Sequence, residues 1–427
     1  MQGIKRTIKS LLPRSIRQPL LNCYHLLVAV AANVRYGFPA RGLKVIMITG
    51  TNGKTSTATL VAGILEHAGR KVGINTTAYY RYGGKTVNKK GSRTLEDIFV
   101  LQGMLAKMKK AGCEYAVLEA TSQGLDQNRL WGVGCDVAVM TNLTQDHLDY
   151  HGTMERYAAA KAKLFKKHPR VIALNRDDEW FEYFQVRTRA QEKTYEYGTG
   201  PQANARITGV QLAKKGSDFN LELDGQMLKL HTKLAGKFNV YNCAAAAIAG
   251  HAEGLTIEEI RNGLAAVAAV PGRLERVNAG QPFEVVVDYA HSPDALDNVL
   301  ETMRRLTSGK LLLVFGATGD RDRAKRPIMG EIAAKYADRI FVTDEETYSE
   351  DGAAIRASIL DGIKKIGALH KTTEIADRRE AMAAAFKEAK EGDAVLLTGL
   401  GHELTRNMGG RAITWNDSVE ATKLLKG

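Results

Sequence analysis

Residues 44–55 read K-V-I-M-I-T-G-T-N-G-K-T, and this stretch decides the fold. Lys44 to Thr49 is a short β-rich run, and the apolar spacing of Ser56 to Ala68 after the glycine turn predicts a helix. A glycine turn between strand and helix brings backbone amides close to phosphates, while Gly-Lys-Thr adds a lysine and a hydroxyl for Mg²⁺. Ile48 occupies the first glycine position of the usual loop. The stretch therefore predicts a phosphate-binding loop of slightly unusual form.

Two further strands are predicted at Tyr115 to Glu119 and Asp136 to Thr141, separated by polar turns and helices. This alternation is typical of a parallel α/β sheet, whose ligands bind at the carboxyl ends of the strands. Glu119 closes one strand, and the cluster D-H-L-D-Y-H (Asp146 to His151) follows the next. We therefore expect these polar side chains near the phosphate loop.

The rest of the chain predicts two more structural units. Short alternating runs between Tyr195 and Leu230 predict a small antiparallel flap, and the alanine-rich segment Val240 to Gly250 predicts a helix. After Pro271-Gly272, strands alternate with helices again, as in a second α/β domain. These later predicted strands are Phe283 to Asp288, Lys310 to Phe315, Arg339 to Thr343 and Ala394 to Thr398.

The predicted fold class is thus α/β, with a P-loop central domain made of a parallel sheet and a small antiparallel flap, and a Rossmann-like α/β C-terminal domain. The predicted domains are a short helical segment at residues 1–44, a central domain at 45–272 and a C-terminal domain at 273–427.

Composition narrows the function classes only partly. The 427 residues carry a net charge of +13, which suits phosphate-bearing substrates, nucleic acid or an anionic membrane surface. No basic patch interleaved with aromatic residues supports nucleic-acid binding, and we expect no such partner. The four cysteines (Cys23, Cys113, Cys135 and Cys243) are widely spaced, as expected for buried thiols in a reducing compartment.

The apolar segment Leu20 to Val34 is interrupted by Asn22, His25 and Asn33, and is too short for a transmembrane helix. Basic residues precede it, so a helix packed on the body, a membrane-surface helix and a signal peptide all remain open. A downstream nucleotide site argues against export. The basic residues are Lys5, Arg6, Lys9, Arg14 and Arg17.

Three side chains are candidates for chemistry beyond the loop itself. Glu119 could reach a phosphate-bound Mg²⁺, although a strand-end glutamate is also often merely solvated. His147 could contact a metal or phosphate, or could be a hydrogen-bonded structural histidine. Lys161 lies on a predicted helix in Y-A-A-A-K-A-K-L-F, and composition alone favours a solvated lysine.

Taken together, these residues resemble the Mur ligase family, and within it the branch of the tripeptide synthetases, the MurE type, from about Val45 to the end. The strings that carry the resemblance are G-T-N-G-K-T, L-E-A-T-S-Q-G-L-D-Q-N-R, T-N-L-T-Q-D-H-L-D-Y-H-G, G-K-F-N-V-Y-N, P-G-R-L-E, V-D-Y-A-H-S-P-D-A-L, G-D-R-D-R-A-K-R-P-I-M-G and G-L-G-H-E.

The resemblance implies an ATP site with two Mg²⁺ ions, with Lys54, Glu119, His147 and Lys161 as catalytic residues. Lys161 matches the lysine that this family carbamylates, and closure of the C-terminal domain would protect an acyl phosphate from water. The implied metal contacts are Thr55, Glu119, His147 and Lys161. The implied ATP contacts are Gly50, Thr51, Asn52, Gly53, Lys54, Thr55, Ser56, Asn239, Asn242, Arg273 and Asp288.

The resemblance also implies a pocket for an incoming amino acid. In that pocket Tyr348 stands where diaminopimelate-adding members have the arginine of D-N-P-R, and the usual lysine after Gly399 is Leu400. Losing a cation while gaining Glu345 and Glu346 favours a positively charged amino acid such as lysine, ornithine or arginine. The implied substrate contacts are Thr121, Ser122, Arg129, Arg321, Glu345, Glu346, Gly399 and Glu403.

A second departure is the segment before Val45, where about 44 residues stand in place of the family's UDP-binding domain. The resemblance therefore implies an ADP-forming acid–amino-acid ligase of peptidoglycan synthesis, with a lipid-linked muropeptide or another polyamide as the alternative acceptor. The expected partners are a small-molecule or lipid-linked peptide substrate and an amino acid. The expected location is cytoplasmic, with contact between residues 1–34 and the inner membrane face left open, as is the oligomeric state.

Overall fold

The computed structural model describes residues 14–89 and 97–427. Helix α1 (Arg14–Arg35) opens the described chain, whereas Lys5, Arg6 and Lys9 of the predicted basic segment lie outside the described residues. Within the two described ranges, no helix is long and apolar enough to cross a membrane.

We use the word layer for a sheet together with the helices that cover it. The first layer contains an eleven-stranded sheet in the order β11-β10-β9-β8-β7-β6-β1-β5-β2-β3-β4. Its central strands pair in parallel, and antiparallel strands extend it at both edges. The strands are β1 (Lys44–Thr49), β2 (Val72–Asn75), β3 (Tyr79–Tyr82), β4 (Lys85–Asn88), β5 (Tyr115–Glu119), β6 (Val137–Met140), β7 (Val171–Asn175), β8 (Lys193–Gly198), β9 (Ala205–Ala213), β10 (Gly216–Leu223) and β11 (Gln226–Thr232).

Helices cover both faces of this sheet, as buried parallel strands require. Along β1, Ile46 and Ile48 enter one apolar cluster, while Val45 and Met47 enter the cluster on the opposite face. The helices are α2 (Lys54–His67), α3 (Ile98–Lys110), α4 (Ser122–Asp126), α5 (Leu148–His151), α6 (Met154–Ala162), α7 (Phe181–Gln185), α8 (Lys237–Ala252) and α9 (Ile257–Ala266), with a 3₁₀ turn at Phe165–Lys167.

A six-stranded sheet forms the second layer, in the order β12-β13-β17-β14-β15-β16, parallel except for the β12–β13 pair. Its strands are β12 (Glu275–Val277), β13 (Glu284–Asp288), β14 (Leu311–Phe315), β15 (Arg339–Val342), β16 (Thr372–Glu374) and β17 (Ala394–Thr398). Its helices are α10 (Pro293–Leu306), α11 (Lys325–Tyr336), α12 (Gly352–Lys365), α13 (Arg378–Glu388) and α14 (Asp417–Lys426), with a 3₁₀ turn at Leu369–Lys371. A separate hairpin joins β18 (Thr405–Met408) to β19 (Arg411–Thr414).

The predicted α/β class is confirmed, and the predicted strands agree with the observed ones to within a residue or two. The antiparallel flap differs in its setting. Strands β9 to β11 do pair antiparallel, but β9 also pairs in parallel with β8, so the predicted flap is the edge of the large sheet. Alternation in a sequence shows that a strand has two unlike faces, and it does not identify the neighbour that the strand pairs with. The boundaries at residues 45 and 273 stay predictions.

Candidate active site

The phosphate loop between β1 and α2 depends on glycine at two positions. Gly50 has φ 149°, and a Cβ there would lie 1.8 Å from Thr141 Oγ1. Gly53 has φ 82°, and a Cβ there would lie 2.3 Å from Asn242 Oδ1. Any side chain at either position would displace a neighbour that holds the loop. The loop is thereby fixed against β6 and α8.

A cavity of about 520 Å³ opens in front of this loop. Residues from both layers line it, which places it between the large sheet and the six-stranded sheet. Of the residues predicted from the sequence, those lining it are Thr51, Asn52, Gly53, Lys54, Thr55, Ser56, Glu119, Thr121, Ser122, His147, Lys161, Asn242, Arg273 and Asp288.

Two lysines converge on the loop from different helices. Lys54 Nζ donates to the carbonyls of Gly50 (3.0 Å) and Thr51 (2.7 Å), and Lys161 Nζ donates to the same Gly50 carbonyl at 2.6 Å. Lys161 is only 1% exposed, so the expectation from composition alone, a solvated lysine, is wrong. Burial, reinforced by the positive charge of Lys54, lowers the pKa of Lys161 well below its ordinary value.

Glu119 ends β5 with a fully buried carboxylate that accepts three hydrogen bonds. Thr55 Oγ1 donates to it at 2.8 Å, and Thr77 donates through its backbone N–H at 2.8 Å and its hydroxyl at 2.9 Å. The loop threonine and the strand-end glutamate are thus adjacent, as the sequence predicted. Arg273 reaches the same hydroxyl from the second layer, with its Nη2 3.4 Å from Thr55 Oγ1.

Asp146 lies between two histidines from different layers. Its Oδ2 is 3.7 Å from His147 Nε2 and 3.8 Å from His291 Nε2. Burial raises the pKa of Asp146, but His147, Lys325 and His291 more than offset this, so the pKa lies below its usual range. Asp146 is therefore a carboxylate at neutral pH. The sequence singled out His147 in this cluster, and the structure shows that its neighbour is the more buried group.

The other predicted ATP contacts lie either in the cavity wall or directly behind it. Asn242 lines the cavity, while Asn239 lies behind it and accepts a hydrogen bond from Asn242 Nδ2 at 3.1 Å. Asp288 ends β13 and accepts the backbone N–H groups of Leu274 (2.7 Å) and Ala290 (2.8 Å). Asn239 is thus placed to orient Asn242.

The two layers are joined by hydrogen bonds beside the cavity. Asn52 Nδ2 in the loop donates to Asp294 Oδ2 at 2.6 Å, and Gln145 Nε2 donates to Asp322 Oδ2 at 3.1 Å. Asp294 lies in the first turn of α10, directly after Pro293. The structure therefore has the two layers in contact across the loop.

Three of the predicted substrate contacts, Thr121, Ser122 and Arg129, lie in or beside α4. Thr121 caps this helix by accepting the Gly124 N–H at 3.1 Å, and Ser122 Oγ lies 2.9 Å from His151 Nε2. Arg129 donates to Gln127 Oε1 through Nε (3.0 Å) and Nη2 (2.7 Å) and does not line the cavity.

A second polar cluster lies in the six-stranded layer, and we call Glu345, Glu346 and Glu403 the acidic pocket. Glu345 and Glu403 are 2% and 3% exposed, and Glu346 is partly buried. Burial raises the pKa of all three, and together with the charges of Glu346 and Glu345 it raises the pKa of Glu403 to about 8. At Gly399 a Cβ would lie 2.1 Å from Glu345 Oε2, so this glycine makes room for the Glu345 carboxylate.

Four cations lie near the acidic pocket: Arg378 and Lys325 near Glu345, Arg321 near Glu346 and Arg273 near Glu403. Arg378 donates to both carboxylate oxygens of Asp417, at 2.9 and 2.6 Å. Arg321 stacks over the Tyr348 ring at 5.3 Å, near Glu346. Within the described residues, Glu345 Oε2 and Glu403 Oε1 are buried oxygens without a hydrogen-bond partner. Buried acceptors of this kind are costly unless a ligand donates to them.

Tyr289 connects the acidic pocket with the cavity, and the sequence did not single it out. It lines the cavity, its ring lies 4.5 Å from the Arg273 guanidinium, and it neighbours Glu403. It sits in V-D-Y-A-H-S-P-D, between the predicted Asp288 and the N-terminus of α10. Its position in a string that carries the family resemblance was the only indication in the sequence. Its neighbours in the structure come from distant parts of the chain.

The residues present fit a magnesium ion bound with a nucleotide. Mg²⁺ is usually held by one or two protein oxygens together with substrate phosphates, and Thr55 and Glu119 supply that donor set in front of the loop. The described part of the chain has no group of three or more His, Cys, Asp or Glu side chains able to hold a metal without such a substrate.

Comparisons with known proteins agree with this geometry. The Mur ligase middle domain matches residues 48–250, and the Mur ligase glutamate ligase domain matches residues 272–401. The UDP-N-acetylmuramoyl-L-alanyl-D-glutamate–2,6-diaminopimelate ligase of Syntrophomonas wolfei is 39% identical over 94% of this chain and 82% of its own length. The UDP-N-acetylmuramyl-tripeptide synthetase of a Roseiflexus species is 37% identical over 95% of this chain and 84% of its own.

A solved structure of a UDP-N-acetylmuramoyl-L-alanyl-D-glutamate–2,6-diaminopimelate ligase is also similar. It is 35% identical, covers 90% of this chain and 78% of its own, and has a TM-score of 0.62. The Syntrophomonas and Roseiflexus relatives named above are ligases of the MurE type in peptidoglycan synthesis. On these grounds the chain belongs to the Mur ligase family of ATP-dependent, amide-bond-forming ligases.

Proposed function

We propose that this protein adds a cationic amino acid, with L-lysine the favoured candidate, to a UDP-linked muramoyl dipeptide on the cytoplasmic side. The observation that carries the choice of amino acid is the acidic pocket, where two buried glutamate oxygens lack a donor. The relatives named above support the acceptor, because their names specify the UDP-linked dipeptide.

The proposed reaction has two steps. An oxygen of the dipeptide carboxylate attacks the γ-phosphorus of ATP, the bond to the β-phosphate oxygen breaks, and ADP and an acyl phosphate form. The amino-acid amine then attacks the acyl carbon, inorganic phosphate leaves, and the amine loses a proton to give the amide. Lys54 and the loop amides hold the phosphates, and contact between the two layers keeps water from the acyl phosphate.

Mg²⁺ and a carbamate on Lys161 complete the proposed site. Bound Mg²⁺ would neutralise phosphate charge during transfer. Only a neutral amine reacts with CO₂, and the lowered pKa of Lys161 increases the share of that form. A carbamate there would place an anion next to Lys54, whose ammonium group would attract it.

The side chain of lysine can supply the hydrogen-bond donors that the acidic pocket lacks. Its ammonium group has three donors, and Glu345 and Glu403 each offer one buried oxygen without a donor of its own. Diaminopimelate would add a distal carboxylate to this negative site, where Tyr348 stands and supplies no cation. Arg321, beside Tyr348, is the proposed contact for the amino acid's α-carboxylate.

Turnover of ATP to ADP tests this function directly. The assay uses UDP-linked muramoyl dipeptide with Mg²⁺ and compares the twenty amino acids, ornithine and diaminopimelate. We expect turnover with lysine or another cationic amino acid to exceed turnover with diaminopimelate. A preference for diaminopimelate, as the relatives' names specify, would refute the proposed selectivity and leave the ligase chemistry intact.

Binding of lysine should depend on pH through Glu403. Because the pKa of Glu403 is about 8, its carboxyl is protonated below that pH when no amino acid is bound. It must lose that proton to pair with an ammonium, so we expect the dissociation constant of lysine to fall as pH rises toward 8, by up to about tenfold per pH unit. Calorimetry with a non-hydrolysable ATP analogue measures this.

The matched variant for that measurement is Glu403→Gln, which cannot titrate. We expect this variant to bind lysine with a larger dissociation constant, which is nearly independent of pH between 6 and 8. An equal pH dependence in the variant would assign the titration to another group.

A Glu119→Gln variant should need much more Mg²⁺. The amide oxygen can still accept from the Thr55 hydroxyl and the Thr77 backbone N–H, but it carries no charge for the metal. We expect the Mg²⁺ concentration for half-maximal turnover to rise by about 10–100-fold. Glu114→Gln, at an exposed position just before the same strand, serves as the control and should leave it unchanged. An unchanged Mg²⁺ requirement in Glu119→Gln would remove Glu119 from the proposed metal site.

A further inference from the structure

Helix α1 has apolar residues on two opposite faces. Its inner face packs against the start of α3, where Ala29 and Ala32 are fully buried with Ile98. Its outer face carries an apolar stripe, defined here as Leu20, Cys23, Leu27, Ala31 and Val34, all exposed. The prediction that Cys23 is a buried thiol is therefore wrong. Their spacing of three or four residues puts them on one side of the helix.

The exposure of this stripe is large for apolar side chains. Leu20, Leu27 and Val34 are 47%, 65% and 64% exposed. Tyr36, directly after the helix, is also 37% exposed. A contiguous apolar surface of this kind indicates an interaction site.

Charge around the stripe identifies the kind of partner. The first 43 residues contain seven lysines and arginines and no acidic residue, and the first acidic residue of the chain is Glu66. No Lys, Arg, Asp or Glu occurs between Arg17 and Arg35, so the cations lie beyond the ends of the apolar segment. Exposed Arg35 and Arg41 follow the stripe. An apolar face flanked by cations matches the interface of an anionic lipid bilayer.

A second copy of the chain fits this surface less well. Pairing two stripes would bring two segments of seven cations together without a compensating acid in either. We therefore propose that the apolar stripe of α1 docks the protein on an anionic membrane surface, with the helix lying along the lipid headgroups. This surface is separate from the ATP cavity and from the acidic pocket.

Flotation of the full protein with lipid vesicles tests this docking. Vesicles of phosphatidylcholine alone are compared with vesicles of phosphatidylcholine and phosphatidylglycerol in equal amounts, at low and high salt. We expect binding to the anionic vesicles only, weakened by salt, because both apolar contact and charge contribute. Absence of binding to anionic vesicles would overturn the proposal.

Paired variants separate the stripe from general charge effects. Leu27→Glu with Val34→Glu should lower the partition coefficient by at least about tenfold. The control is Val186→Glu with Ile366→Glu, which changes two exposed apolar residues elsewhere, 75% and 50% exposed, and should bind as the unmodified protein does. Circular dichroism and ATP turnover should be the same in both variants, since neither touches the cavity.

Two results would contradict the proposal. Equal loss of vesicle binding in both double variants would assign the binding to net charge alone. A dimer in light scattering that the Leu27→Glu, Val34→Glu variant converts to a monomer would assign the stripe to self-association.

Discussion

A Lys161→Ala variant is expected to lose about 10²–10³-fold in turnover while still binding ATP. Lys161 is buried against the loop carbonyl of Gly50 and the ring of Tyr157, so alanine removes the group without exposing the helix. If Lys161 acts as a carbamate, turnover should also fall when dissolved CO₂ is removed and return when bicarbonate is added. Steady-state ADP release measures both effects.

The control for this variant is Lys166→Ala, which removes an exposed lysine just beyond the same helix. It should change neither turnover nor the response to bicarbonate. A bicarbonate effect that persists in Lys161→Ala would place the carbamate elsewhere. Full activity of Lys161→Ala would remove this lysine from the chemistry altogether.

The second large effect is expected at the acidic pocket. Glu345→Gln should lower kcat/KM for lysine by about 140- to 4,000-fold, because removing one partner of a buried ion pair costs about 3–5 kcal/mol. The amide is close to the carboxylate in size, and Thr318 can still donate to its oxygen. The loss should therefore reflect charge and should appear mainly in KM.

Glu391→Gln, an exposed glutamate in the same layer, is the control and should leave kcat/KM unchanged. The result that contradicts the assignment is an equal loss of ATP affinity in Glu345→Gln, since that would indicate damage to the layer instead of a lost ion pair.

The phosphate loop and its strand were predictable because their chemistry is local. The string at residues 44–55 contains the strand, the glycines and the polar groups in sequence order, and the structure keeps that order. Glu119 was also predictable, since parallel strands place their carboxyl ends at one edge of the sheet. For these groups, the position in the sequence was enough to predict the contact that the structure shows.

Burial of Lys161 and the roles of Asp146 and Tyr289 were not predictable from residue patterns alone. Lys161 contacts Gly50 across 111 positions, and Asp146 approaches His291 from the other layer. Helical spacing shows which residues share a face, but the partner of that face is set by tertiary packing. The resemblance to the family drew attention to Lys161, and the structure provides the physical reason for its unusual environment.

Helix α1 shows the same limit. An apolar segment interrupted by Asn22, His25 and Asn33 predicted a helix, which the structure confirms. The sequence could not show which face is covered, because apolar residues occur around the whole helix. The buried Asn33, which donates to the Ala29 and Trp131 carbonyls, identifies the inner side.

Hydrogen bonds join the two layers directly at the phosphate loop, through Asn52 with Asp294 and Gln145 with Asp322. These bonds lie beside the cavity proposed for the nucleotide, so we expect ADP to leave only after they have broken. Opening of the layers, instead of bond formation, is then the expected slow step of each catalytic cycle. Solvent viscosity should accordingly slow steady-state turnover more than it slows the first round of acyl-phosphate formation.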